Sequence, residues 1–360
     1  MFTFSRACAF ALVLASSGCA SPAILIRGEV AHPVTRDGWP LTVEHFPPSA
    51  TAAVMRKRPV ILCHGILANR RFFELEGESS LPAVLARAGF DVWLVDLRGR
   101  HDGGAPPAPA GGLFGKYDYD VDTFMRDDMD ALLAYVIART GAPDVAWVGH
   151  SLGGMIAYAR LGTMGDPRIG ALVTVGSPGL FAPASHHMLR LYELSRALSF
   201  LPTLPVESAA WIDGELGLPL APGLLTDTIF QPENIPRATY RTLEEVAVND
   251  PSLPELRQLV RGMRGGDYVS ADGRVSYTAA LSAIRTPSLV IVGRADELAD
   301  PLVGRAVFER LGSSDKELVI AGKADGFGVD FGHVDLLVGP AARREVYPRI
   351  VRWLEAHDGG

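Results

Sequence analysis

The chain has 360 residues, of which 48% are hydrophobic and 21% are charged. This balance excludes a disordered, collagen-like or coiled-coil protein and is typical of a large globular chain with a substantial core. The formal net charge of −7 gives no excess of basic residues that would neutralise phosphates. We therefore expect no nucleic acid as a partner.

The first 19 residues have the pattern of a secretory signal. Arg6 precedes an apolar run over residues 7–15, which is shorter than the about 20 residues that cross a bilayer. Residues 16–19 resemble a bacterial lipobox and predict lipidation of Cys19, with ordinary cleavage near Ala20 as the alternative. We expect an exported protein of the bacterial cell envelope, attached to a membrane in the periplasm or at the outer membrane through Cys19, or otherwise secreted.

The cysteines predict no disulfide. Cys8 and Cys19 fall in the signal segment, so that only Cys63 remains for the folded part of the chain. Cys63 ends an apolar run and is predicted to be a buried small apolar residue.

Short apolar runs alternate with amphipathic patterns across the first half of the chain. Strands are predicted at residues 59–63, 90–96, 144–148 and 169–176, and helices at residues 81–88, 122–139 and 153–161. An antiparallel edge hairpin is predicted over residues 31–46. The alternation predicts an α/β fold, in which helices cover both faces of a mostly parallel sheet of about eight strands.

The alternation of predicted strands and helices stops between residues 180 and 282. This segment is rich in Leu and Pro and has helical patterns without a clear strand. Strands resume at residues 288–292 and 317–320, and a final helix is predicted at residues 341–356. We interpret the chain as a signal segment (1–19), a core in two parts (20–179 and 283–360) and a mainly helical cap (180–282) inserted between them.

The sequence Gly149-His150-Ser151-Leu152-Gly153 lies where a predicted strand ends and a helix begins. It has the G-x-S-x-G pattern of a nucleophile elbow in the required context. Such a turn holds the serine in a strained conformation with its hydroxyl exposed, and only small residues at positions 149 and 153 permit the close packing. Ser151 is therefore the predicted nucleophile.

A serine nucleophile requires a base, and an acid that orients the base. These follow an elbow serine in the order acid, then histidine. His333 precedes the last helix and is the predicted base, whereas His357 lies in the terminal segment. Asp296 follows the strand at residues 288–292 and is the predicted acid; its rival, Asp300, is better explained as a helix N-cap.

The tetrahedral intermediate also requires two backbone N–H donors. Leu152, directly after the nucleophile, is one predicted donor, and Ile66, in the loop after the first core strand, is the other. His64 in this loop is expected to have a structural role rather than a catalytic one. Three acidic residues near the base are expected in solvated loops and turns, and the sequence leaves open that one of them is the orienting acid instead: Asp325, Asp330 and Asp335.

We predict neither a metal site nor a cofactor. His150 and the pair His186-His187 lack the spacing of metal ligands. The sequence also has no dinucleotide-binding or P-loop fingerprint.

With these residues placed, the chain resembles the α/β-hydrolase superfamily and, more narrowly, the acid lipase family of gastric and lysosomal lipases. The resemblance lies in residues 64–68, in residues 85–99, in the elbow, and in residues 296–301 together with 332–337. The family usually has Gln where this chain has Leu152. Residues 332–333, 338–340 and 345–348 also have a weaker likeness to polyhydroxyalkanoate synthases. Those enzymes use Cys as the nucleophile, so Ser151 argues against that activity.

The resemblance implies a triad of Ser151, Asp296 and His333, with Ile66 and Leu152 as oxyanion donors. We therefore expect a carboxylic ester hydrolase of the esterase or lipase type, which forms an acyl-enzyme and acts on apolar, lipid-like acyl substrates. The alternatives are an acyltransferase that uses the same triad and a non-catalytic envelope lipoprotein that has kept the fold.

Overall fold

The computed structural model describes residues 28–100, 117–181 and 231–359, together with Thr203 and Val206. Its centre is an eight-stranded sheet with the strand order β1-β2-β4-β3-β5-β6-β7-β8. The strands are β1 (Glu29–Ala31), β2 (Thr42–Phe46), β3 (Val60–Cys63), β4 (Val92–Asp96), β5 (Val145–His150), β6 (Ile169–Val175), β7 (Ser288–Gly293) and β8 (Lys316–Ala321). The β1–β2 and β2–β4 pairs are antiparallel, and the other neighbours are parallel.

The helices of the described residues are α1 (Leu81–Arg87), α2 (Met129–Thr140), α3 (Leu152–Met164), α4 (Arg237–Val246), α5 (Leu253–Gly265), α6 (Tyr277–Ala280), α7 (Pro301–Arg310) and α8 (Tyr347–Ala356). Two helical segments, Val121–Thr123 and Phe124–Asp128, lead directly into α2, and a π-helical turn, Ala342–Val346, leads directly into α8. Strands β3 to β8 and helices α1, α2, α3 and α8 lie where the sequence patterns predict them.

The strands contribute to two apolar layers, because successive side chains of a strand point to opposite faces of the sheet. In β3, Ile61 and Cys63 pack in the layer that contains α2 and α3, while Val60 and Leu62 pack in the layer that contains α1 and α8. All four side chains are fully buried. The predicted α/β fold, with helices on both faces of a mostly parallel sheet, is confirmed.

Two local predictions are also confirmed. The edge hairpin is present, since β1 and β2 pair antiparallel and Gly38 takes a left-handed conformation, with φ of 89°, in the turn between them. Cys63 is free and buried. Burial raises the pKa of its thiol well above the ordinary value, which disfavours a reactive thiolate.

The described part of the predicted cap is helical and contains α4, α5 and α6. The predicted signal segment and residues 182–202, 204–205 and 207–230 lie outside the described residues. The division of the chain into core and cap therefore stays a prediction.

Buried polar contacts attach α5 to the segment after β4 and to the helical segment that precedes α2. Arg100 Nη2 donates to Glu255 Oε1 at 2.9 Å, and both side chains are inaccessible to solvent. Gln258 Nε2 donates to Asp122 Oδ1 at 2.6 Å, and Gln258 Oε1 accepts from the Val121 N–H at 2.9 Å. Because buried polar groups are costly when they lack partners, these contacts hold α5 in one position.

Gln258→Leu tests this attachment. The variant keeps a side chain of similar size but leaves the Val121 N–H and the Asp122 carboxylate short of a partner. We expect the free energy of unfolding, measured by urea denaturation, to fall by about 2 kcal/mol or more. Thr242→Val, which removes an exposed hydroxyl from α4, is the control and should change it by less than about 0.5 kcal/mol. Equal effects of the two substitutions would contradict this account of α5.

Candidate active site

The predicted elbow connects β5 to α3. Ser151 has φ of 50° and ψ of −116° and is the only non-glycine residue with positive φ in the described part of the chain. Its N–H donates to the Val175 carbonyl oxygen at 2.9 Å, which anchors the turn to β6. Backbone strain of this kind persists where the surroundings enforce it, and it is concentrated at functional sites.

Lack of space explains both glycines of the elbow. A Cβ atom on Gly149 would lie 2.3 Å from the backbone carbonyl carbon of Gly153. A Cβ atom on Gly153 would lie 2.3 Å from the carbonyl oxygen of Cys63 at the end of β3. The start of α3 therefore packs against the backbone of the sheet at a distance that excludes any side chain.

His333 and Asp296 form a buried pair. His333 Nδ1 lies 2.8 Å from Asp296 Oδ2. The second oxygen, Oδ1, accepts from the N–H groups of Leu298 and Ala299 at 2.8 and 2.9 Å. Burial raises the pKa of the Asp296 carboxyl, but His333 and the backbone donors outweigh it and hold the pKa below its ordinary value. An ionised Asp296 fixes the hydrogen of His333 on Nδ1, which leaves Nε2 able to accept a proton.

The rival acid, Asp300, has the predicted structural role. Its side chain caps α7 and accepts from the N–H groups of Leu302 and Val303 at 2.7 and 2.9 Å. The carboxylate that contacts His333 is therefore that of Asp296.

The elbow and the His333–Asp296 pair lie side by side at the carboxyl ends of β5, β6 and β7. His150 Nε2 is 3.1 Å from the His333 carbonyl oxygen. A Cβ atom on Gly176, just after β6, would lie 3.1 Å from His333 Nδ1 and 3.2 Å from Asp296 Oδ2. The structure thus brings the three predicted triad residues into one region of the sheet edge.

The loop after β3 approaches the elbow from the other side. A Cβ atom on Gly65 would lie 3.2 Å from Ser151 Cβ. Leu152 begins α3, so its N–H belongs to the first turn, where donors have no partner within the helix. No described residue accepts a hydrogen bond from the backbone N–H of Ile66 or Leu152. Both groups are therefore free to serve the predicted role of oxyanion donors.

The segment that follows α4 holds this loop in place. Asn69 Nδ2 donates to the Val246 carbonyl oxygen at 2.9 Å and to Asn249 Oδ1 at 2.7 Å. The Asn249 N–H donates to the Leu67 carbonyl oxygen at 2.9 Å. These contacts join the candidate oxyanion loop to residues about 180 positions away, and no local pattern in the sequence predicts them.

A buried cluster of charged and polar groups lies behind the same loop. Arg70 donates to Glu44 at 2.8 Å and to Asp96 at 2.7 Å. The imidazole of His64 is fully buried, accepts from the Leu97 N–H at 3.3 Å, and has its pKa lowered by burial to about 3. His64 is therefore a neutral structural residue, as predicted.

The expectation that Asp335 lies in a solvated loop is wrong. Its side chain is fully buried and accepts hydrogen bonds from the Gly332 N–H, from Asn234 Nδ2 at 2.7 Å and from the Gln231 N–H at 3.1 Å. Because Gly332 directly precedes His333, Asp335 shapes the loop of the candidate base and ties it to the segment before α4. No local pattern in the sequence indicates this role, because Asn234 and Gln231 are about 100 residues distant in the chain.

The described residues contain no group of three or more His, Cys, Asp or Glu side chains arranged to hold a metal ion. Within the same residues, no helix is both long and apolar enough to cross a membrane. Cys19 and the pair His186-His187 lie outside the described part of the chain.

Gly153→Ala tests the close approach of α3 to β3. The added methyl group would overlap the Cys63 carbonyl oxygen, so we expect the free energy of unfolding to fall by about 3 kcal/mol or more. Gly265→Ala at the end of α5 is the matched control, because no atom lies within 4 Å of the position of its added Cβ. Chemical denaturation should show no loss for this control, and equal stability of the two variants would mean that the elbow can relax.

The raised pKa of Glu74 can be tested through the pH dependence of the protein's stability. Burial, followed by the neighbouring Glu44 carboxylate, raises the pKa of Glu74 to about 9. The folded protein therefore holds a proton that the unfolded chain releases near pH 4.3. The contribution of Glu74 to stability is fully present below that pH and is lost as the pH rises towards about 9.

Glu74→Gln removes this titration and keeps the volume and a hydrogen-bond donor. We expect its stability relative to the wild type, from urea midpoints between pH 5 and 9, to improve steadily with pH. Glu44→Gln, which weakens the ion pair with Arg70, should destabilise throughout this range. A constant difference between Glu74→Gln and the wild type would show that Glu74 is ionised in the folded state.

Comparisons with known proteins agree with this architecture. A family model described as the alpha/beta hydrolase fold matches residues 58–332. Among solved structures, a monoacylglycerol lipase of Paleococcus ferrophilus superposes with a TM-score of 0.59 at 20% identity, covering 88% of this chain and 99% of that chain. An esterase from Exiguobacterium antarcticum superposes with a TM-score of 0.58 at 20% identity, covering 91% of this chain and 98% of that chain.

Sequence relatives include several lipases. Lipase 3 of Drosophila melanogaster is 22% identical in an alignment of 359 positions, and this alignment covers 90% of this chain and 89% of the relative. Triacylglycerol lipase 2 of Arabidopsis thaliana is 30% identical in an alignment of 142 positions, which covers 37% of this chain and 32% of the relative. Human gastric triacylglycerol lipase is 29% identical over 133 residues, 36% of this chain and 33% of the relative. The last two matches span about a third of each relative's length.

The resemblance to lipases that the motif residues indicate is thus confirmed. The family model covers most of the chain, and it includes the elbow, the acid and the start of the base loop. Together with the eight-stranded sheet and the strained serine between β5 and α3, this match establishes that the chain belongs to the α/β-hydrolase family.

Proposed function

We propose that the protein is a serine hydrolase that cleaves carboxylic esters through Ser151, His333 and Asp296. The observation that carries this proposal is the strained Ser151 elbow beside the buried His333–Asp296 pair. Relatives and structural neighbours named lipases and esterases support ester hydrolysis as the class of reaction.

In the first half of the reaction, Ser151 Oγ attacks the ester carbonyl carbon and His333 Nε2 takes the hydroxyl proton. The ionised Asp296 stabilises the positive charge that forms on His333. The negative charge that develops on the substrate oxygen is stabilised by the N–H groups of Ile66 and Leu152. The positive end of the α3 dipole, at Leu152, acts in the same direction.

The intermediate then breaks its bond to the alcohol, which leaves with the proton from His333 Nε2. The acyl group remains on Ser151 Oγ as an ester. A water molecule attacks this ester while His333 Nε2 accepts one of its protons. The acid departs, and the same proton returns to Ser151 Oγ, which restores the starting state.

The acyl group of the substrate is proposed to be apolar and lipid-like. Ile66, which follows Gly65 in the candidate oxyanion loop, is partly buried against a small buried apolar cluster of Leu253, Leu256 and Val206. Apolar side chains beside the candidate oxyanion donors suit an apolar acyl chain better than a charged one. The relatives that are named triacylglycerol and gastric lipases support the same choice.

The location of the enzyme is part of the proposal. The apolar run at residues 7–15 and the lipobox-like residues 16–19 support export to the bacterial envelope and lipidation of Cys19. A lipid on Cys19 would hold the enzyme at a membrane surface, close to apolar substrates.

The test is hydrolysis of p-nitrophenyl esters from acetate to palmitate, together with labelling by a fluorophosphonate probe. We expect rates that rise with acyl length, labelling of Ser151, and a loss of about 10⁴-fold or more in Ser151→Ala. A preference for short esters would reject the proposed lipid-like substrate but would leave ester hydrolysis supported. Labelling without hydrolysis would favour acyl transfer, and a folded protein whose Ser151 is not labelled would overturn the proposal in favour of binding.

A further inference from the structure

His150 is a buried histidine that the proposed reaction does not use. It directly precedes the nucleophile, and only 3% of its surface is exposed. Its Nε2 lies 3.1 Å from the backbone carbonyl oxygen of His333, and the centroids of the two imidazole rings are 4.8 Å apart. One side chain therefore links the serine's own strand to the loop of the base.

The geometry also determines the protonation of His150. A carbonyl oxygen can only accept a hydrogen bond, so Nε2 carries the hydrogen. Burial and the neighbouring His333 lower the pKa of His150 to about 3, which leaves Nδ1 without a proton and the ring neutral. A neutral ring does not repel His333 when His333 becomes positively charged during the reaction, and its lowered pKa makes His150 a weak base for the serine proton.

The same ring contacts the candidate oxyanion loop. It stacks on Phe72 with ring centroids 4.7 Å apart. Its Nδ1 is buried without a hydrogen-bond partner and lies 3.2 Å from the position of a Cβ atom on Gly65. The stacking and this close approach keep the ring in the plane in which Nε2 reaches the His333 carbonyl oxygen.

We propose that His150 is a positioning residue that sets the distance between the base and the nucleophile through its hydrogen bond to the His333 backbone. This inference rests on the proposed hydrolysis, since positioning has a kinetic effect only if His333 acts on Ser151. Asp296 orients the imidazole of His333 from the side-chain end, and Asp335 shapes the preceding turn through Gly332. His150 connects this loop directly to the elbow.

Two substitutions separate the hydrogen bond from the packing. His150→Phe keeps an aromatic ring against Phe72 but removes the donor. His150→Gln places an amide N–H the same number of bonds from Cα as Nε2 and keeps the donor. Tyr158 lies elsewhere in α3, and Tyr158→Phe removes its buried hydrogen bond to Thr174 of β6. This variant controls for loss of stability alone.

With p-nitrophenyl butyrate, we expect His150→Phe to lower kcat by about 10²-fold, because a misplacement of about 1 Å costs that much. KM of His150→Phe should change less than twofold. The kcat of His150→Gln should be at least tenfold higher than that of His150→Phe. Tyr158→Phe should lower the melting temperature without lowering kcat. Equal kcat values for His150→Phe and His150→Gln would overturn the proposal, and so would a higher KM with an unchanged kcat.

A spectroscopic measurement tests the positioning role of His150 without depending on enzyme turnover. The proton between His333 Nδ1 and Asp296 should give a downfield NMR signal, assigned with ¹⁵N-labelled histidine and the Asp296→Asn variant. We expect this signal in the wild type and in His150→Gln, and its loss or displacement in His150→Phe. An unchanged signal in His150→Phe would count against positioning. A signal that responds as expected in a protein without esterase activity would reject the proposed hydrolysis and leave the positioning role supported.

Discussion

The close approach of Gly153 to the carbonyl oxygen of Cys63 is the contact on which the candidate site depends. At this distance no side chain fits between the start of α3 and the end of β3. The turn that joins β5 to α3 must therefore be sharp, and Ser151 takes the strained conformation that exposes its hydroxyl. The same contact brings the loop after β3, with Gly65, against the nucleophile. A packing constraint between backbones thus produces both the exposed serine and its neighbouring donors.

Helices outside the sheet support the two loops that flank the serine. The segment after α4 binds the loop of Ile66 through Asn69 and Asn249. The segment before α4 binds the loop of His333 through Asp335. Because α5 is itself fastened by buried contacts of Arg100 and Gln258, this part of the chain acts as a fixed support. The geometry of the site is therefore shared between the sheet edge and the helices that cover it.

The surroundings of the serine give three nearby titratable groups, His64, His150 and Asp296, a defined protonation state. His64 and His150 are held neutral, since burial lowers the pKa of each to about 3. Asp296 stays ionised, because His333 and two backbone donors outweigh the cost of burying its charge. The surroundings of His333 thus combine one fixed negative charge with neutral rings. In the proposed reaction, this arrangement would favour a transient positive charge on His333 while the serine proton is transferred.

The sequence alone determined the features that depend on neighbouring residues. Apolar periodicity placed the strands, the glycines on either side of Ser151 indicated the elbow, and the position of Asp300 before a helix indicated its cap. Chain order was enough to select Asp296 and His333, because parallel strands bring their carboxyl ends to one edge. Only the tertiary structure decided the burial of Asp335, the bond from His150 to the His333 backbone, and the contacts of Asn69. Their partners lie from about 100 to 180 residues away, and such contacts follow from packing, which no local pattern encodes.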